Sequence, residues 1–389
     1  MLRVGLVSVD PGRKWIGGRY YLQHLVRAVA ALPASERVAL ADVWWMEAQD
    51  DDPFAEVREL LDGQQVLGFP TTGIGRVVRA LRRAWCGWRD ARDLFIDARI
   101  DVLFPIAPIS EPGIPLVFWM PDFQPWRMPE LFSPELQHWY DEHYTRNGVE
   151  ARLIVLSSND GLRDLETYLP QFRGKARVLH FCSMPTDEWW LRDPVTVARA
   201  YGLPDKFFLL ANQFSHHKNH PVVFEAVRRL RARGVPVVVA CTGSTFGFRG
   251  NDYLESIEAF LSEHDLKGAV RILDLIPRAD QIALMRRAIA ILQPSQFEGW
   301  STVVEDAKTL GKPILVSDLP VHREQAPPGG VFLPVDDAEA WAEAMENAWN
   351  VRPPGPNEDE EAAGASAVSR AQVETGRTFV RIVREAAGR

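Results

Sequence analysis

A carboxylate at Glu298 stands before Gly299, and two more acids follow at Glu305 and Asp306, inside the stretch PSQFEGWSTVVEDAKTLGKP at residues 294–313. Ser301 and Thr302 can cap a helix, and residues 303–310 read as that helix. Glu298 then lies at or just before its N-terminus, and Asp306 about one turn inside. A helix N-terminus offers free N–H groups and the positive end of a dipole. Gly299 lets a backbone come close to a ligand. Amides for a phosphate and carboxylates for hydroxyls would suit a phosphate flanked by hydroxyl-rich groups, as in a nucleotide sugar. The plainer alternative is that the acids only complement the helix dipole. Spacing alone leaves both open.

The elements that would position these residues alternate along the chain. In the first half, strands are expected over residues 3–9, 38–45, 102–104, 116–120, 153–157 and 176–181. Helices are expected near 20–32, 76–95, 134–148 and 160–168. Residues 183–204, punctuated by Pro185, Pro194 and Pro204, read as a linker. The rhythm then restarts, with strands over 207–211, 235–241, 270–273, 289–292 and 314–317. Helices follow at 220–233, 252–264, 279–287 and 303–310. Residues 351–361, Pro-rich and then acidic, read as a loop, and 371–387 as a closing amphipathic helix. Strands alternating with helices predict an α/β chain with mostly parallel sheets. A length of 389 residues is too great for one ordinary core, so two domains are expected. In a doubly wound sheet the loop after a strand lies at the carboxyl edge, where ligands bind.

Composition narrows the partners. The formal net charge of −8 argues against a nucleic-acid partner, which needs a basic face. The 3 cysteines, Cys86, Cys182 and Cys241, have neither metal-ligand nor disulfide spacing, so a reducing cytoplasm is the expectation. No apolar stretch at the N-terminus is long enough for a signal peptide, and no run reaches the about 18 apolar residues of a membrane span. Asp50-Asp51-Asp52 is followed by Pro53 and reads as a solvated helix entry rather than a metal site. His216, His217 and His220 surround a lysine with no carboxylate among them, and read as loop residues beside a ligand rather than metal ligands. No metal and no cofactor is therefore expected.

The stretch from Phe297 resembles the signature of the retaining nucleotide-sugar glycosyltransferases of family 4, which have the GT-B fold. Phe297-Glu298-Gly299 matches, and Ala307, Gly311 and Pro313 match without a gap; the family's second glutamate falls on Asp306, which keeps the charge with a shorter reach. Ser301-Thr302-Val303 replaces the family's Gly-Leu-Pro. Members also open with a strand, a loop ending in Gly-Gly and a helix, here VDPGRKWIGGRYYLQHL with Gly17 and Gly18. Where members carry an arginine and then a lysine on the donor diphosphate, this chain has Gln213 and Lys218. The segment RILDLIPRADQIALMRRAIAILQPS is similar to the strand–loop–helix–strand that leads into the glutamate motif, and its loop near Leu275–Pro277 is where a base would lie.

The resemblance implies two Rossmann-like doubly wound domains facing each other across a cleft. Residues 1–185, completed by a helix over about 371–389, would bind the acceptor, and residues 186–370 the nucleoside-diphosphate sugar. Glu298 and Asp122 would act on the transferred sugar; many members have His-Asp where this chain has Pro121-Asp122. Asp122 equally suits a turn after proline. Gln213, Lys218, Pro277, Gly299, Trp300, Ser301, Thr302 and Asp306 would hold the donor, with Gly17 and Gly18 in the phosphate or acceptor loop. As a loop residue, Glu298 would be removable at little cost to folding. The implied reaction moves a sugar, with retention and without a metal, to a glycan or lipid-linked acceptor in bacterial polysaccharide or cell-surface glycan synthesis. A nucleotide-sugar epimerase of the same fold and a non-catalytic sugar-nucleotide-binding protein are the alternatives. A nicotinamide-dependent oxidoreductase would need Gly-x-Gly-x-x-Gly after the first strand, and residues 11–18 lack it.

Residues 76–95 carry Arg76, Arg79, Arg82, Arg83, Arg89 and Arg92 beside an apolar stripe of Val78, Leu81, Trp85 and Trp88. Such a helix can lie in an anionic membrane interface, which would make the protein peripheral at the inner face. It can equally pack its stripe on a sheet with its arginines in water.

Overall fold

The computed structural model describes residues 1–7, 16–44, 54–66, 95–107, 112–245 and 252–389. The chain divides into two compact units. One comprises Met1–Cys182 with Ala371–Arg389, the other Ser183–Arg370.

The first unit opens on β1 (Arg3–Val7), a short apolar strand buried over most of its length. It pairs in parallel with β2 (Ala39–Trp44) and β4 (Val102–Phe104), and β2 pairs with β3 (Gln64–Val66). A parallel bridge from Leu103 to Leu116 carries the layer on into β5 (Val117–Met120), β6 (Leu153–Leu156) and β7 (Ala176–Val178). Every one of these pairings is parallel, as in a doubly wound sheet. The first helix spans Ile16–Ala30. It begins four residues before its expected start, so Gly17 and Gly18 lie in its first turn rather than in the preceding loop.

The second unit is one parallel sheet in the order β10-β9-β8-β11-β12-β13. Its strands are β8 (Phe208–Leu210), β9 (Val239–Cys241), β10 (Val270–Ile272), β11 (Ile291–Gln293), β12 (Ile314–Ser317) and β13 (Val331–Leu333). Strand order reverses between β8 and β11, which makes the gap beyond their carboxyl ends the topological switch point. Helices His220–Ala232 and Ala338–Val351 cover one face, with Trp341, Phe224 and Leu230 fully buried. Helices Arg278–Arg287 and Thr302–Thr309 cover the other, with Leu284, Val304 and Ala307 in its core.

Two segments depart from the sequence reading. The expected linker contains the helices Glu188–Leu191 and Pro194–Ala200. The second is capped by Asp193, which accepts from the Thr196 amide at 2.7 Å, and starts with proline at its first position, where proline is well tolerated. The expected acidic loop is the start of one helix, Glu358–Ala387. Glu358, Asp359, Glu360 and Glu361 occupy its first turn, where negative charge complements the free N–H groups. The Asn357 side chain accepts from the Glu360 amide at 3.2 Å. The far end of this helix belongs to the first unit, where Phe379, Ile382 and Val383 are buried.

Helix Thr302–Thr309 ends in a Schellman motif. The Gly311 amide donates to the Lys308 carbonyl at 3.1 Å and the Lys312 amide to the Ala307 carbonyl at 2.7 Å. Gly311 has φ +59°, and a Cβ there would overlap the Glu360 carbonyl oxygen. Both the left-handed backbone and the close passage of the long helix demand glycine. Gly311→Ala is expected to destabilise the protein by at least about 2 kcal/mol, measured as a lower midpoint in urea. An unchanged midpoint would show that the two backbones do not meet there.

Candidate active site

The carboxyl ends of β8 and β11 are joined by side chains. Asn212, just past β8, donates through Nδ2 to Oε1 of Gln293, the last residue of β11, at 2.9 Å. The amide of Gln293 is thereby oriented, with its Nε2 turned to the following loop. From there Nε2 reaches Glu298 Oε1 at 2.7 Å, Ser295 Oγ at 3.1 Å and Ser301 Oγ at 3.1 Å. Beyond β9, Gly243 lies with φ +139°, and a Cβ there would overlap the Asn212 carbonyl oxygen. Only glycine lets that turn come so close to the residue that orients Gln293.

The two loops of the switch point are tied together. After β8 the chain makes a turn of 3-10 helix at His216–Lys218. Asn219 then takes a left-handed conformation with φ 52°, and its side chain donates to the Val335 carbonyl at 2.9 Å. Asparagine tolerates this backbone better than most residues. The Gln296 amide donates to the His217 carbonyl at 2.8 Å, which docks the loop after β11 onto this turn. Lys218 and Glu298 are thus brought face to face, with Nζ 2.6 Å from Oε1.

Glu298 therefore receives three donors on one oxygen: Lys218 Nζ at 2.6 Å, Gln293 Nε2 at 2.7 Å and Ser295 Oγ at 2.7 Å, all on Oε1. Oε2 makes no hydrogen bond among the described residues. The side chains of Lys218 and Glu298 are 15% and 8% exposed, so the pair is largely shielded from water. One carboxylate oxygen is pinned and the other is presented. The expectation that Glu298 is a loop acid removable at little cost is corrected here. Its loss would leave a lysine, a buried amide and a buried hydroxyl without their acceptor.

Ser301 begins the helix as its cap, its Oγ accepting from the Val304 amide at 3.4 Å. Gln325, on the short helix Pro320–Gln325, grips the backbone of Ser301 from both sides. Its Oε1 accepts from the Ser301 amide at 3.2 Å, and its Nε2 donates to the Ser301 carbonyl at 2.9 Å. Glu305 is buried too, with Oε1 receiving Lys308 Nζ at 3.0 Å and Gln325 Nε2 at 2.9 Å. Burial pushes its carboxyl above the ordinary range against the pull of Lys308. Glu305 serves the helix and does not substitute for Asp306.

Asp306 sits in a second cluster. It is 1% exposed, and its Oδ1 accepts from Ser183 Oγ at 2.6 Å while its Oδ2 accepts from Arg278 Nη2 at 2.7 Å. Arg278 lies 5.2 Å from the Trp189 ring and also donates to Gln281 at 2.8 Å. The shorter aspartate thus stays within the protein, and Arg278, beside Pro277, takes its charge. Gln213 is exposed just past β8, and Pro277 is exposed at the start of its helix. Gly299, Trp300 and Thr302 are partly exposed around the N-terminus of helix Thr302–Thr309.

His220 departs from the loop reading. It is the first residue of its helix and fully buried, stacked on Phe214 at 4.3 Å with Nδ1 3.2 Å from the Tyr253 hydroxyl. Burial pushes its imidazole down to about 3, so it remains neutral. Among the described residues no group of three histidine, cysteine or acidic side chains could hold a metal ion.

In the first unit Asp122 follows β5, and its Oδ1 accepts from the Gln124 amide at 2.9 Å. Its carbonyl accepts from the Tyr144 hydroxyl at 2.9 Å. Trp119 and Phe123 are core residues, Trp119 stacking on Tyr21 with ring centroids 3.8 Å apart. Gly17 is exposed, and a methyl group placed on its Cα would have nothing within 4 Å. Asp50-Asp51-Asp52 and residues 76–94 of the arginine-rich stretch lie outside the described residues, as does Cys86; Cys182 and Cys241 are buried free thiols. Among the described residues no helix is long and apolar enough to cross a membrane.

Residues missed from sequence are Gln293, Ser295 and Gln325. Ser295 and Gln293 stand in the very run that precedes Glu298, so polar residues at the carboxyl end of an apolar strand were the available signal. Gln325 had none, because it reaches the site from a separate helix.

Residues 199–363 match the family model of glycosyl transferases group 1. A segment of 144 residues, 37% of this chain, is 26% identical to the O-antigen chain mannosyltransferase RfbU of Salmonella typhimurium, and spans 38% of that protein. The fold of the whole chain is similar to that of HepE from Anabaena, solved with UDP and glucose, with a TM-score of 0.65 at 15% identity over 98% of this chain and 99% of that one. It is similar also to WaaG, a glycosyltransferase involved in lipopolysaccharide biosynthesis, with a TM-score of 0.60 at 14% identity over 98% of each chain.

Proposed function

We propose that this chain, which carries a glycosyl transferases group 1 domain within a GT-B fold, moves a sugar from a nucleoside-diphosphate donor to a glycan or lipid-linked acceptor with retention of configuration. The observation that carries the reading is the orientation of Glu298. Three donors hold Oε1, so Oε2 is left to accept from a sugar hydroxyl at the switch point. A buried, pre-oriented acceptor is worth most where charge develops in the transition state.

Lys218 supplies positive charge for the departing diphosphate, together with the N–H groups that open the helices His220–Ala232 and Thr302–Thr309. Gln213, Gly299, Trp300, Ser301 and Thr302 surround the same edge and would contact the donor. Asp306 acts by holding Arg278, which stands next to Pro277 where the base and ribose would lie. The first unit, with Asp122, takes the acceptor. RfbU and WaaG carry names from surface-polysaccharide chemistry, which supports a bacterial surface glycan as the acceptor class. A peripheral contact through residues 76–95 would bring a lipid-linked acceptor within reach.

The test is the stereochemistry of the product. Proton NMR of the sugar transferred from an α-linked uridine- or guanosine-diphosphate donor is expected to show the α-anomer, with activity unchanged by EDTA. A β-product would refute retention. Activity lost in EDTA and restored by Mn²⁺ would show that Lys218 and the helix ends do not suffice for the leaving group.

A further inference from the structure

We infer that Gln293 is a positioning residue whose amide decides which oxygen of Glu298 faces the ligand. This rests on the transferase reading only for its catalytic consequence, since the orientation itself is a matter of geometry.

Gln293 is fully buried at the end of β11, so it touches no substrate. Its carbonyl oxygen is occupied by Asn212 at 2.9 Å, which leaves only the NH₂ end for the loop. That end donates to Glu298 Oε1 at 2.7 Å, the shortest of its contacts, and bridges to the hydroxyls of Ser295 and Ser301. The Ser295 hydroxyl itself donates to Glu298 Oε1 at 2.7 Å. Ser295 is held in turn: its carbonyl accepts from the Ser317 hydroxyl at 2.5 Å. The Ser317 carbonyl lies 2.8 Å from Nδ1 of His322. One amide therefore links the strand end, the acid and the helix cap. Lys218 could pull Glu298 by charge alone, but a flexible ammonium fixes no direction. A planar amide locked at its other end does.

Gln293→Glu is the informative substitution because it keeps the shape. Asn212 would still donate to one oxygen of the new carboxyl, and the other would face Glu298 Oε1. Two carboxylates so close cannot both ionise, so one proton would be shared between them. With that proton, an O–H replaces the lost N–H and Glu298 keeps its orientation. Without it, repulsion drives Glu298 away. The charged or titratable groups facing this pair are Lys218 from the loop after β8 and His322 from the helix Pro320–Gln325. Burial pushes the His322 imidazole below its ordinary value, with Glu298 opposing. The positive charge of Lys218 favours the second ionisation.

The experiment has two arms on the full chain. In the first, side-chain carboxyl ¹³C signals of glutamate-labelled protein are titrated, with Glu298 assigned by its loss in Glu298→Gln. Gln293→Glu is expected to raise the apparent pKa of the Glu298 signal by at least about one unit. The Glu298 signal should then titrate together with that of the carboxyl introduced by the substitution. In the second, nucleotide release from the donor is followed against pH. Gln293→Glu is expected to be active near pH 5.5 and at least about tenfold slower at pH 8 relative to wild type. Gln293→Leu is expected to lower kcat at least about tenfold at every pH, with KM for the donor within about threefold. A purely structural glutamine would move the melting temperature and not the pH profile. Independent titration of the two carboxyls, or a Gln293→Glu profile parallel to wild type, would overturn the inference. Coupled titration in a protein that releases no nucleotide would uphold the positioning of Glu298 and refute the transferase reading instead.

Discussion

Glu298→Gln is expected to lower turnover by about 10²-fold or more. The loss comes from where the hydrogen bonds go. Lys218, Gln293 and Ser295 all donate to Oε1, so a glutamine must leave its carbonyl oxygen there to satisfy them. Its NH₂ is then forced into the position of Oε2. The group facing the ligand changes from an acceptor with negative charge to a donor without it. A sugar hydroxyl that donates there in the transition state loses its partner and meets another donor. Glu298→Ala should be as inactive but less stable. It strands the Lys218 ammonium and the Ser295 hydroxyl and removes the shortest contact of the Gln293 amide, at a cost of about 1–3 kcal/mol. The two variants therefore separate chemistry from folding, read as kcat and as urea midpoint. Near wild-type turnover in Glu298→Gln would mean that Oε2 does not meet the substrate.

The second large effect belongs to Lys218. If its ammonium offsets the diphosphate, Lys218→Ala weakens nucleoside-diphosphate binding by about 1.5–3 kcal/mol, which is about 10- to 150-fold. The nucleoside lacking phosphates should bind both proteins alike, because it leaves the lysine untouched. Titration calorimetry with both ligands distinguishes a diphosphate contact from a general loss of site structure. Equal weakening for the nucleoside would point to disorder of the 216–218 turn. Lys218 also neutralises the largely buried Glu298, and removing one partner of such a pair is costly in itself.

Most strands that build the sheets were legible as short apolar runs, and β4 and β12 fall on the expected residues. Two of the edge strands were not. β3 has one apolar residue among its three and β13 is a three-residue run after a Pro-Pro-Gly-Gly turn, and their pairing is set by the neighbour rather than by propensity. The acidic run at residues 358–361 read as a solvated loop because charge without context looks solvated. Its role as a helix first turn depends on the Asn357 side chain before it and on the long helical run after it. The site was legible where chemistry and chain order coincide: Glu298 and Lys218 lie beyond the ends of β11 and β8, and a reversal of strand order brings those ends together. Asp306 shows the limit. Its spacing from Glu298 matched a family pattern, but a side chain one methylene shorter meets Ser183 and Arg278, neither of which the spacing could foretell. Gln325 shows the other limit, since no local signal marks a residue that arrives from a separate helix to hold the Ser301 backbone.

The central claim is that a donor is cleaved where Glu298 presents its free oxygen. It is tested most directly by the rate at which nucleoside diphosphate appears from a panel of uridine- and guanosine-diphosphate sugars, with water or a surface glycan as acceptor, in wild type and Glu298→Gln side by side. The account predicts release from at least one donor by the wild type, slowed by about 10²-fold or more in the variant. Equal release by both proteins, or none from any donor by the wild type, would contradict it.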